Sequence, residues 1–196
     1  MPAKPSARAT AISALQGALA AEHAAVYGYG IVGAMLGKGL QSRARTYWVA
    51  HQEARDTLAA MLVKLGATPV AASPAYQLPF AVTGAASAVA LAVVLEDGVA
   101  QAYLGVVAVT DQTLRSFGAL AMQPPANRAV VWRGSTVAFP GMPRDLRENA
   151  GYLIAAARAA STWVIAVAAA SRSSAREMRS AQDHQNRQSP SLPRSA

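Results

Sequence analysis

Apolar residues recur at alternating spacings of three and four along two stretches near the start of the chain. The first stretch contains Ile12, Leu15, Leu19, Val26, Tyr29 and Leu36, and the second contains Ala44, Trp48, Leu58, Leu62 and Leu65. This spacing places the apolar side chains on one face of an α-helix. Two glycines, Gly37 and Gly39, separate the stretches and predict a short turn between antiparallel helices, and Gly66 predicts the end of the second helix.

A long connection is predicted after the second helix. Residues 67–83 contain three prolines and show no helical period. A third helix is predicted at about residues 84–109, and Thr110 and Asp111 are candidate caps for a fourth. Pro124 and Pro125 predict a break in that fourth helix, because proline cannot continue a helix interior. Two short connections separated by one long connection are typical of the ferritin-like four-helix bundle.

The predicted fold class is therefore all-α. We expect a ferritin-like antiparallel four-helix bundle over residues 10–143, with an additional C-terminal helix and a disordered basic tail in residues 144–196. In the second region the additional helix is predicted from Leu146 to about Arg179, and the rest is rich in Ser, Gln and Pro.

Composition agrees with closely packed helices and limits the function. The chain has 53% hydrophobic residues, many of them alanine, only 6% aromatic residues, and no cysteine. Disulfides and thiolate metal sites are thereby excluded. The formal net charge is +8, but no run of Lys and Arg marks a nucleic-acid surface, so nucleic acid is not an expected partner. The simple expectation for localisation is the cytoplasm.

One segment is long enough to cross a membrane. Residues 78–95 carry no charged side chain, which meets the minimum length of a membrane span. The segment contains Pro79 and Gly84 and is followed directly by Glu96 and Asp97. We therefore predict a buried bundle helix, and a membrane-associated protein is the alternative.

Several short motifs resemble those of the actinobacterial ferritin-like family called DUF4439. They are Glu22-His23-Ala24-Ala25-Val26-Tyr27-Gly28-Tyr29-Gly30, His51 with Arg55-Asp56, Pro74-Ala75-Tyr76 with Leu78-Pro79, Leu95-Glu96, and Trp132-Arg133-Gly134 with Phe139-Pro140-Gly141. The resemblance covers about residues 10–143. It implies a ferritin-like fold and little chemistry, because the family is one of unknown function.

Three polar residues lie on the predicted apolar faces, where a metal could bind. They are Glu22 in the first helix, His51 in the second and Glu96 in the third. With a turn near Lys38, Glu22 and His51 differ in height by about 4.5 Å, a gap that side chains can close. A ferritin-like two-metal site takes a Glu from each of two helices and a Glu-x-x-His pair from each of the other two. Trp48 stands where the Glu of one such pair is expected, and the fourth helix has prolines where its ligands are expected.

Two interpretations of these residues follow. In the favoured one, Glu22, His51 and Glu96 form a buried polar network in which Arg55 neutralises a carboxylate. In the other, the three side chains bind one divalent metal ion such as iron, manganese or zinc.

The favoured function is a non-catalytic structural or interaction module with a degenerate, incomplete metal site and no cofactor. A homo-oligomer and an unknown protein partner are both compatible with this. The alternatives are an iron- or manganese-binding protein or oxidoreductase with a single-metal site, and a membrane-associated helical protein.

Overall fold

The computed structural model describes residues 5–137, and this part of the chain is helical, without β-strands. Its helices are α1 (Ala7–Met35), α2 (Lys38–Lys64), α3 (Ala85–Val107), α4 (Gln112–Ala121) and α5 (Gln123–Arg133). The predicted all-α class is confirmed. The additional helix and basic tail that were predicted for residues 144–196 lie outside the described residues.

Local sequence signals set the helix ends. The side chain of Asp111 accepts a hydrogen bond from the Leu114 amide at 2.9 Å, which is the expected N-cap of α4. Gly66 follows α2 with φ of 66°, and Gly134 ends α5 with φ of 76°. Both are left-handed conformations that glycine adopts without strain.

The fourth position of the bundle is divided between two short helices. The chain changes from α4 to α5 at Met122, and Pro124 and Pro125 lie in the first turn of α5. Proline is tolerated in this turn because its missing amide hydrogen would have had no partner within the helix. The predicted proline break is thus confirmed.

The other helices of the bundle pack against α1 and α3. Helix α1 packs against α2 and α3, and α3 also packs against α4 and α5. Gly28 allows α1 to approach α3, since a β-carbon there would come within 2.5 Å of the Leu95 side chain. Gly118 does the same for α4, where a β-carbon would lie 2.9 Å from the backbone nitrogen of Val107.

The connection between α2 and α3 runs beside α1 and is held to it by polar contacts. The Gln16 side chain accepts from the Val70 amide at 2.8 Å and donates to the Thr68 carbonyl at 2.7 Å. The His23 ring lies 3.1 Å from the Val70 carbonyl. These bonds satisfy backbone groups that a non-helical segment cannot pair within itself.

The apolar core consists of two clusters along the bundle. One cluster includes Leu15, Leu19, Leu58, Leu62, Tyr103 and Val106. The other includes Tyr29, Val32, Leu36, Ala44, Leu91, Ala92 and Trp132. Glu22, His51 and Glu96 each fall, along their own helices, between a member of one cluster and a member of the other. A polar layer therefore divides the core.

Helix α3 is apolar and long enough to cross a membrane by length and composition alone. Its middle carries Glu96 and Asp97, and both carboxylates are paired with arginines of α5, Arg128 and Arg133. A core helix of a bundle has the same apolar composition, so the hydropathy of α3 does not by itself indicate a membrane.

Replacing Gly118 by Ala tests the close approach of α4 to α3. The added methyl group meets backbone atoms of Val107, which cannot rotate away, so the helices must separate. We expect Gly118→Ala to lower the free energy of unfolding by about 1–3 kcal/mol, in the range of overpacked cores. Denaturant unfolding followed by circular dichroism measures this.

Gly17→Ala is the matched control. Gly17 is exposed in the middle of α1, and a β-carbon there meets no atom within 4 Å. Alanine is the better helix former, so this variant should gain about 0.5–1 kcal/mol. Equal effects of the two substitutions would contradict the packing described for α4.

Candidate functional site

The structure brings the three predicted polar residues together in the middle of the bundle. His51 Nδ1 lies 2.6 Å from Glu22 Oε2, and His51 Nε2 lies 3.3 Å from Glu96 Oε1. Glu22 is 1% exposed, and His51 and Glu96 are completely buried. The sequence predicted that side chains would close the height difference between Glu22 and His51, and this prediction is confirmed.

His51 lies between two carboxylates, and this fixes its protonation. Carboxylate oxygens only accept hydrogen bonds, so both ring nitrogens of His51 donate. Burial alone opposes the charged ring, but the hydrogen bonds with Glu22 and Glu96 and their negative charges outweigh it. Together they raise the pKa of His51 above its ordinary value of 6.5. The position of His51 between two carboxylates therefore favours its imidazolium form.

Two buried tyrosines complete the hydrogen bonding of the carboxylates. Tyr103 donates to Glu22 Oε1 at 2.9 Å, and Tyr29 donates to Glu96 Oε1 at 2.5 Å. Burial first, and then the adjacent carboxylate, raises the pKa of each phenol well above its ordinary range. Both phenols therefore stay neutral donors. The indole of Trp132 in turn donates to the Tyr29 hydroxyl at 2.7 Å and fixes its orientation.

The arginine of the network comes from α5. Arg128 Nε donates to Glu96 Oε1 at 2.8 Å, and the Arg128 guanidinium lies over the Tyr47 ring at 5.4 Å from its centroid. The expectation that Arg55 neutralises Glu22 or Glu96 is wrong. Arg55 pairs instead with its neighbour Asp56 at 2.8 Å, and 29% of its side chain is exposed. A guanidinium near the surface keeps its hydration, so the Asp56 side of α2 is the less costly place for it.

The network is balanced in charge. Two acidic side chains, Glu22 and Glu96, contact two basic side chains, His51 and Arg128. Such compensation is required where side chains are removed from water. One acceptor is left over, because Glu96 Oε1 receives three donors while the buried Glu96 Oε2 has no hydrogen-bond partner within residues 5–137.

These residues do not fit a two-metal centre. Such a centre needs about six protein ligands from four helices. Two carboxylates and one imidazole are present, and the fourth position contributes Arg128, a cation, on the side of Glu96. Within residues 5–137 no group of three or more His, Asp or Glu side chains is arranged to hold a metal ion.

Sequence reasoning missed Arg128, although a signal was present. With a turn near Asp111, the helical rise puts residues 124–127 at the level of Glu96, and the actual partner, Arg128, is one residue further along. The prolines by themselves predicted only a break. In the structure they begin the helix that carries Arg128 and Trp132 into the site.

The charge of His51 predicts how stability depends on pH. Its pKa is higher in the folded protein than the ordinary value of 6.5 that applies after unfolding. The stabilisation is therefore complete below pH 6.5 and is lost as the pH rises toward the folded-state pKa. Over that interval the free energy of unfolding should fall by about 1.4 kcal/mol per pH unit.

His51→Gln provides the comparison, because glutamine keeps a donor but cannot be charged. Denaturant unfolding of both proteins between pH 6.5 and pH 9 should give a falling curve for the original chain and a flatter one for the variant. Burial lowers the pKa of His23, so that residue acts only below this interval. Parallel curves would show that His51 is not the group responsible.

The chain is similar to a known protein family and to a solved structure. Residues 14–144 match the model of a family described as a domain of unknown function, DUF4439. A crystal structure of a conserved hypothetical protein from Mycobacterium tuberculosis is 36% identical, with a TM-score of 0.62; the match covers 64% of this chain and 96% of that one. No curated protein matches the sequence.

Proposed function

Because the chain belongs to the DUF4439 family, whose function is unknown, we propose a function from the geometry of the site. The protein is a non-catalytic helical module, and its polar centre supports the fold. In this proposal Glu22, His51, Glu96 and Arg128 join four segments of the bundle, and they neither bind a substrate nor turn one over. Each comes from a different helix, so each fixes the position of that helix relative to the others.

The observation that carries the proposal is that Glu22 and His51 have all their side-chain hydrogen bonds within the network. Both oxygens of Glu22 and both nitrogens of His51 are used within the network. A catalytic acid or base needs a hydrogen-bond partner on the substrate and a route to it. Here His51 is fully buried, and its two positions for proton transfer face fixed carboxylates. This geometry favours support of the fold over chemistry.

The competing function is a single-metal protein that uses Glu22, His51 and Glu96. The ligand chemistry is suitable, since carboxylate and imidazole bind iron, manganese and zinc. In that function the metal would take the place of one ring proton of His51 and of the Arg128 guanidinium. The two functions therefore differ in which positive charges neutralise the carboxylates. Metal analysis measures this difference.

Metal content and stability distinguish them. The full chain is incubated with ferrous iron, manganese or zinc, desalted and analysed for metal, alongside Glu22→Gln and the exposed control Glu53→Gln. We expect well under one equivalent of metal in all three proteins. Glu22→Gln should lose about 3 kcal/mol of unfolding free energy, because it removes the closer of the two carboxylates that pair with His51, whereas Glu53→Gln should change little.

Three results would overturn the proposal. One equivalent of metal in the original chain that is lost in Glu22→Gln would establish the single-metal function. Two equivalents of iron lost together would restore a two-metal protein, despite the ligands that are missing from the fourth position. Unchanged stability of Glu22→Gln, without metal, would mean that the network does not support the fold.

A further inference from the structure

We infer that the hairpin end of the bundle, where α1 turns into α2, binds the surface of an anionic lipid bilayer. Exposed apolar side chains lie at this end beside cations that have no acidic partner among the described residues. The surface is separate from the polar network, so this partner goes beyond the proposed function. The protein attaches to the membrane from one side, and no helix crosses it.

The charge of the hairpin end is positive and uncompensated. Residues 23–52 contain no Asp or Glu and three cations, Lys38, Arg43 and Arg45. All three are exposed, and no acidic side chain of residues 5–137 pairs with any of them. Arg43 stands over the Trp132 ring, 5.7 Å from its centroid, which leaves its charge in place. Positive side chains without nearby acids attract an anionic surface.

The three cations lie close together along the helix. They occupy the first two turns of α2, which begins at Lys38, so they fall within about 11 Å along the helix axis. Lys38 and Arg45 are seven residues apart and therefore lie on the same side of α2. The connection that leads into α3 and the first part of that helix, residues 65–95, contribute no charge of either sign.

Two apolar side chains are exposed at the turn itself. Met35 is the last residue of α1 and is 42% exposed, and Leu40, in the first turn of α2, is 38% exposed. Both are large side chains that lie within a few residues of Lys38. Apolar groups that stay in water next to a charged rim are typical of a contact surface.

The connection between α2 and α3 adds a third apolar side chain to this end. Phe80 is 37% exposed, while Leu78 and Val82 on either side of it pack against the core cluster that includes Leu36 and Ala44. Leu36 and Ala44 stand before and after the turn of the hairpin. The segment around Phe80 therefore lies at the hairpin end as well.

An anionic bilayer matches both features of this surface. Its headgroups attract Lys and Arg, and the boundary between headgroups and acyl chains accepts apolar side chains. The apolar stems of lysine and arginine also lie along such a boundary while their charged ends stay in water. Nucleic acid would attract the same cations through its phosphates, but phosphates offer no apolar environment to Met35, Leu40 and Phe80.

Vesicle sedimentation with the full chain tests the role of charge. The protein should sediment with vesicles of phosphatidylglycerol mixed with phosphatidylcholine, and it should stay in solution with phosphatidylcholine alone. Each cation near an anionic surface raises the affinity about fivefold, so Lys38→Gln combined with Arg45→Gln should weaken binding about 25-fold. Added salt should weaken binding of the original chain, because it screens the same attraction.

The matched control is Lys64→Gln combined with Arg115→Gln. It removes the same charge from exposed positions in α2 and α4 at the opposite end of the bundle, and it should bind as the original chain does. Every protein in the series keeps residues 138–196, so differences in binding come from the substituted positions. Equal weakening by the two double variants would overturn the inference, because net charge alone would then explain binding. Failure of the original chain to bind anionic vesicles would also overturn it.

A second pair of variants tests the apolar contact. Leu40→Gln combined with Phe80→Gln keeps every charge and should weaken vesicle binding about tenfold or more, since two apolar side chains no longer leave water. The control is Val63→Gln combined with Leu120→Gln, which changes side chains that are 62% and 69% exposed at the opposite end and should have no effect. Circular dichroism should show that all variants remain helical, because every substituted side chain is exposed.

Two further outcomes contradict a lipid partner. Vesicle binding that is unchanged in Leu40→Gln combined with Phe80→Gln would mean that the apolar side chains do not enter the bilayer. Binding of the original chain to a DNA duplex, weakened by Lys38→Gln combined with Arg45→Gln and without any binding to vesicles, would assign the hairpin end to nucleic acid instead.

Discussion

Two carboxylates buried between apolar clusters are the constraint on which this bundle depends. Glu22 and Glu96 lie on neighbouring helices with almost no exposure to water, and an uncompensated charge in such a place costs several kcal/mol. The neutralising groups must therefore come from the remaining helices, and they do so as His51 of α2 and Arg128 of α5. The need for charge balance fixes how α1 and α3 align with α2 and α5. A purely apolar core would allow many alternative alignments of these helices. Tyr29, Tyr103 and Trp132 add donors from the two apolar clusters and so tie the polar layer to both.

The break in the fourth position follows from the same constraint. Helix α4 approaches α3 closely at Gly118, where no side chain separates the backbones. Beyond Met122 the chain starts a new helix, and residues of that helix face Glu96 and Asp97 with the long side chains of Arg128 and Arg133. A helix that contributes arginines needs more room than one that packs through glycine. The prolines in the first turn of α5 allow the direction to change without leaving amide hydrogens unpaired.

Most of the architecture could be predicted from the sequence, because its signals are local. Helical spacing, the glycines at 37 and 66, the cap at Asp111 and the proline break each depend on a few adjacent residues. The meeting of Glu22 and His51 was also predictable, since it needs only the hairpin position and the helical rise. Glu96, which follows the long connection, could be assigned only to the apolar face of its helix. The choice of arginine was not. Arg55 lies one turn from His51 and so appeared suitable. Its pairing with Asp56 depends on how α2 packs, and the position of Arg128 depends on how far α5 is shifted after the break. Neither can be predicted from the spacing of residues in the sequence.

A buried ion network is weak evidence of stability in itself, because well-packed apolar residues of the same volume often stabilise a protein equally or better. What apolar residues do not provide is a penalty for misalignment. Shifting α2 by one turn would bring Arg55 or Tyr47 to the level of His51 and leave both carboxylates without the imidazolium. An alanine-rich apolar face would tolerate the same shift with a modest loss of stability. In a chain whose core contains so many small side chains, steric fit alone distinguishes poorly between alignments. The polar layer supplies that distinction, since only one alignment of α1, α2, α3 and α5 gives each carboxylate its cation.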